Sequence, residues 1–126
     1  MYRATRYMVR VTIMDISKDL VAASATPLVL SILAEGESYG YAIIKRVREL
    51  SHGHWQWTDG MLYPVLHRLE RQGLIQSRWG VADNGRRRKY YQIRREGTKS
   101  LQSQQQQWHM VFSTLNQLWE SQSCLA

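Results

Sequence analysis

Apolar positions along the chain fall mostly into blocks with a helical period, broken once by a stretch that alternates. From Ile16 the pattern is helical. Ser17 reads as an N-cap, and Thr26-Pro27 as a second cap followed by proline at a first helical position. Leu28, Val29, Leu30, Ile32 and Leu33 then make a largely buried helix that stops at Gly36. Ser38 opens the next helix, YGYAIIKRVREL, in which Ile43, Ile44, Val47 and Leu50 keep the 3.6-residue period up to a stop at Gly53. WQW at 55–57 reads as a short strand. Thr58 or Asp59 caps a third helix, DGMLYPVLHRLERQG, with Leu62, Leu66 and Leu69 at i, i+4 and i+7 and Gly73 at its end. Pro64 removes one ladder hydrogen bond, which places it in or near the opening turn.

The alternating stretch comes next. LIQSRWGV and RKYYQIR are two strand-like runs joined through Ala82-Asp83-Asn84-Gly85, and Asn-Gly between such runs signals a hairpin. From Glu96 to about Trp119 a long helix follows. Leu101, Trp108 and Leu115 recur every seven residues, joined by Val111, Phe112, Leu118 and Trp119. So small a domain cannot bury that stripe by itself, which predicts a partner helix. Residues 1–13 alternate weakly and read as a frayed tail. An edge strand, or a true start at Met14, are the alternatives.

The order is helix, helix, short strand, helix, hairpin, long helix. It predicts a mainly α fold with a small β-hairpin: a winged helix–turn–helix plus a long C-terminal dimerisation helix. The expected units are an N-terminal extension over 1–14, the winged domain over 15–95 and the dimerisation helix over 96–126. In such a fold the third helix fits the major groove of duplex DNA and the hairpin reaches over the adjacent backbone.

Charge sharpens this. The formal net charge is +7, and residues 68–99 hold ten basic and three acidic side chains, a local excess as large as the whole. That asymmetry points to a polyanion, nucleic acid before membrane, because no basic amphipathic helix accompanies it. Arg86, Arg87, Arg88 and Lys89 fall at the wing tip and on its second strand, with Arg78 on the first. Tyr63, His67, Arg68 and Arg71 occupy faces of the third helix left free by its leucines.

Other chemistries find little support. An apolar share of 44% with 21% charged residues is that of a folded chain, and no apolar run approaches the roughly 18 residues that span a bilayer. The single cysteine, Cys124, excludes an internal disulfide framework and fits a reducing cytoplasm. His52 and His54 lie in a loop with no cysteine or carboxylate at metal spacing, so no metal site is expected. No nucleophile–base–acid set, phosphate loop or paired carboxylates can be assembled, so neither an enzyme nor a cofactor is expected. Trp55, Trp57 and Trp79 read as structural anchors. Of Tyr90 and Tyr91, one belongs to the wing core and the other to its surface.

GESYGYAIIKRV, GMLYPVLHRLERQGLI and SRWGVADNGRRRKYYQIRREG together resemble the PadR family of bacterial transcriptional regulators, over roughly residues 26–101. The single C-terminal helix resembles that of the family's compact subgroup, whose members are homodimers. The resemblance implies a cytoplasmic repressor of a detoxification, efflux or stress gene, bound to an inverted repeat in double-stranded DNA and released by a small hydrophobic or aromatic effector. It implies phosphate contacts from Tyr39 and Tyr63, and base-edge positions for Thr58, Gly60, Met61, Pro64 and His67. Asn84, Gly85, Arg86, Arg87, Arg88 and Lys89 would form the wing contact, and Trp108 would line an effector pore at the dimer interface. Many members carry Ser or Thr where Met61 stands, so reading there would be apolar, for example against a thymine methyl. The rival expectation is a small-molecule or protein-interaction module that keeps the fold without reading sequence.

Overall fold

The computed structural model describes residues 14–125, with the backbone alone over 123–125. The readings made for residues 1–13 lie outside the described residues. Four helices and three short strands follow in the order α1 (Lys18–Ala34), β1 (Ser38–Tyr39), α2 (Gly40–Leu50), α3 (Asp59–Arg71), β2 (Ile75–Val81), β3 (Arg87–Ile93) and α4 (Arg95–Leu125).

Ser17 caps α1 as expected, its hydroxyl accepting from the Leu20 amide at 3.3 Å. Thr26-Pro27, however, begins no second helix, because α1 runs straight through Pro27. The proline deprives the Ala23 carbonyl of its helical donor, but Ala23 is exposed to water, which can take the donor's place. Thr26 has a tertiary partner instead of a capping role: its Oγ1 accepts from Arg68 of α3 at 2.6 Å.

The strands also differ from expectation in one respect. Trp55 to Trp57 form no strand; they lie in the loop before α3, with Trp57 buried and Trp55 packed against the core. The third strand is β1, over Ser38 and Tyr39, which were expected inside a helix. Ser38 pairs with Tyr91 and Tyr39 with Tyr90, giving the antiparallel order β1-β3-β2. Helix α2 therefore starts only at Gly40, with no side-chain cap, and Leu50 at its far end is exposed rather than buried.

The hairpin forms as predicted, with Ile75 opposite Ile93 and Val81 opposite Arg87. Its turn is not a two-residue Asn-Gly turn, since Asn84 does not take a positive φ. The Gly85 amide bonds to the Ala82 carbonyl at 2.9 Å, and only Gly85 (φ +84°) enters the left-handed region.

One core holds these parts together. Val29, Leu30 and Leu33 of α1, Ile43 and Val47 of α2, and Leu62, Leu66 and Leu69 of α3 meet Ile75, Tyr91 and Leu101. Each fully buried aliphatic side chain contributes about 1.5–3 kcal/mol of transfer free energy. Trp79 departs from its expected anchoring role: 58% of it is exposed, because β2 by then has run past the helices that cover Ile75.

Candidate nucleic-acid interface

Thr58 fixes the start of α3, its hydroxyl accepting from the Met61 amide at 3.3 Å. With Leu62, Val65, Leu66 and Leu69 turned into the core, the opposite face presents Gly60, Tyr63, Pro64 and His67 at i, i+3, i+4 and i+7. These four sequence-predicted residues form one exposed stripe. The Tyr63 and His67 rings lie 6.3 Å apart. The Tyr63 hydroxyl passes so close to Gly40 that a Cβ there would stand 2.5 Å from it, so the start of α2 sets where the stripe begins.

Two predicted residues face elsewhere. Arg68 is half-buried and reaches across to Thr26 of α1. Met61 packs against the core and, with Trp55, Trp57 and Val65, lines an apolar cavity of about 890 Å³ beside the first half of α1. Arg78 is likewise engaged, donating to both carboxylate oxygens of Glu37 at 2.8 and 2.7 Å. That hydrogen-bonded pair holds Glu37 below the usual carboxylate range and Arg78 above its own ordinary value.

The basic run at 86–89 divides by strand alternation. Arg86 stands exposed in the turn, its amide donating to Asn84 Oδ1 at 3.0 Å. Arg87 and Lys89 lie on the sheet face that carries Trp79. Arg88 lies on the other face, its guanidinium carbon 3.8 Å from the Tyr39 ring centroid and 6.0 Å from that of Tyr90. Among the described residues none of these four cations makes an ion pair, in contrast to Arg46 with Glu35 and Arg78 with Glu37. Between the wing and α3 lies a recess of about 480 Å³ lined by Tyr39, Tyr41, Tyr63, His67, Trp79, Arg87 and Lys89 among others.

Tyr41 and Trp79 were not singled out from sequence as part of this surface. The signal for Trp79 was present: counting back from the turn pairs it with Lys89, on the inner face of the strand. Tyr41 follows the helix start, which sequence placed two residues early.

Helix α4 joins the domain through buried Leu101 and then leaves it. Trp108, Val111, Phe112, Leu118 and Trp119 are exposed along it, and Leu115 is half-covered. Among the described residues no histidine, cysteine or carboxylate cluster could hold a metal ion, and no helix is long and apolar enough to cross a membrane.

Three helices, a three-stranded sheet with a projecting hairpin and a long trailing helix define a winged-helix protein of the transcription-regulator class. The profile of the transcriptional regulator PadR-like family matches residues 29–103, and the chain belongs to that family. It is similar to a transcriptional regulator from Clostridium thermocellum, 33% identical, over 82% of this chain and 97% of that one, with a TM-score of 0.73. A PadR-like transcriptional regulator from Bacillus cereus is 30% identical over 80% and 96% of the two chains, with a TM-score of 0.71. The transcriptional regulator YqjI of Escherichia coli strain K12 is 30% identical over 67% of this chain, which spans only 39% of that relative.

Proposed function

We propose that the chain acts as a cytoplasmic homodimeric repressor, gripping an inverted repeat in double-stranded DNA. The observation that carries this reading is the recess between α3 and the wing: an exposed stripe on one side, unpaired cations on the other. Gly60, Pro64 and His67 would face base edges, with Thr58 at the helix start and Tyr39 and Tyr63 near the phosphate backbone. Asn84 to Lys89 would lie over the adjacent phosphates, which position a protein on DNA without specifying sequence. Met61 and Arg68 are left to the packing of the domain. Two copies joined along α4 would set their α3 helices into successive major grooves, about 34 Å apart.

An anisotropy titration against the duplex upstream of the protein's own coding sequence tests this. Binding should weaken steeply with salt, and Arg86→Ala with Arg87→Ala should lower the slope of log K against log salt by about 2. Unchanged binding and slope in that double variant would remove the wing from the interface. Equal affinity for any duplex would favour the rival reading, a fold that holds DNA or another partner without reading sequence.

Release by a small planar aromatic effector at the dimer interface is part of the same proposal, with Trp108 as the residue it meets. A planar aromatic compound should quench tryptophan emission in the wild type and not in Trp108→Ala. Quenching that persists would move the effector elsewhere.

A further inference from the structure

On most of the hairpin's inner face the helices cover what the strands present. Ile75 and Tyr91 are buried, and the Ser77 hydroxyl donates to Glu70 of α3 at 2.6 Å. One pair further out the same face runs free, and there stands Trp79, more than half exposed. Its indole is not idle surface. The Arg87 guanidinium carbon lies 4.5 Å from the ring centroid and Lys89 Nζ lies 5.8 Å from it. The register explains the cluster, since Lys89 is directly opposite Trp79 and Arg87 is the diagonal neighbour on the same face. All three line the recess beside α3.

We propose that Trp79 is a positioning residue of the DNA grip, a platform that holds Arg87 and Lys89 extended towards duplex phosphates. This rests on the reading of the wing as a DNA contact. A free lysine or arginine at a hairpin end samples many rotamers, and each phosphate contact must first collect the side chain. A cation over an indole face is drawn to the ring's electron density yet stays charged and hydrated on its far side. It therefore remains ready for an anion. No carboxylate competes for either cation at ion-pair distance among the described residues.

Anisotropy titrations of the full chain across a salt series, with both the upstream duplex and a random-sequence duplex, test the platform. Trp79→Ala should bind about threefold to tenfold more weakly, with the salt slope reduced by about 1. Trp79→Phe keeps an aromatic face and should stay near wild type, whereas Trp79→Leu keeps bulk without that face and should behave as alanine does. Thermal melts of all three should match the wild type, because the side chain is exposed. Wild-type affinity and slope in Trp79→Leu, alongside weakened Arg87→Ala, would overturn the platform. So would an alanine variant that loses affinity at an unchanged slope, since the loss would then not pass through phosphates. If wild type binds neither duplex, the DNA reading itself fails and the platform falls with it.

Discussion

Arg78 and Glu37 form a two-pronged contact, 2.8 and 2.7 Å, that ties the first wing strand to the turn between α1 and β1. Its charge is already matched, so Arg78 differs from Arg87, nine residues on in β3, which has no ion-pair partner among the described residues. Arg78→Gln should leave the salt slope of DNA binding unchanged, while Arg87→Gln should lower it by about 0.9. Equal slope changes in the two variants would refute the distinction.

The same contact carries a pH dependence. Arg78 hydrogen-bonds the Glu37 carboxylate and depresses its pKa, so the folded state binds this proton less readily than the unfolded one. The contribution is present above the ordinary carboxylate range and is lost as pH falls through the depressed value. Hydrogen exchange at the β2 amides, taken relative to its intrinsic rate at each pH, should therefore speed up on acidification in the wild type. In Glu37→Gln it should be faster at neutral pH and lack that acid step.

Burial pushes the Tyr91 phenol up to about 12. The raised value favours the protonated folded form, so its contribution is complete below the usual tyrosine range near 10 and is lost as pH rises towards 12. An absorbance titration should show a late phenolate step that Tyr91→Phe abolishes. A titration unchanged in the variant would contradict the burial.

Gly97 reverses a familiar sign. Alanine usually stabilises a helix over glycine by about 0.5–1 kcal/mol. Here a Cβ would collide with the Leu74 carbonyl and come within 2.8 Å of Ile93. Gly97→Ala should cost about 1–3 kcal/mol instead, read from urea unfolding.

The stripe on α4 makes its own prediction. Phe112→Asp with Trp119→Asp places charge on the exposed apolar face through which the proposed dimer would form. Sedimentation should shift from dimer to monomer, and affinity for the upstream duplex should fall with it.

The elements that sequence revealed are those whose evidence is local. Leu62, Leu66 and Leu69 repeat within one helix, and the turn residues Asn84 and Gly85 sit between the strands they join, although the turn type differs from the one they suggest. The resemblance carried by the LYP and GRRRKYY runs fixed the family from the same short stretches. Distant pairings were hidden. Ser38 and Tyr39 are too few to show a period, and their partners Tyr91 and Tyr90 lie in the last strand. Arg68 and Arg78 read as free charges because Thr26 and Glu37, 42 and 41 residues away, do not announce themselves. The exposure of Trp79 was hidden for a related reason. Alternation tells which face a residue takes, but not where the covering helices end.

The two-residue strand β1 has a mechanical consequence. It is continuous with the start of α2, where Gly40 meets the Tyr63 hydroxyl of α3, and it is hydrogen-bonded to β3 of the wing. Wing and helix stripe are thereby fastened like two jaws of a calliper locked at one opening. In the proposed dimer, a signal that loosens such a grip would turn one whole subunit against the other rather than part the wing from the helix.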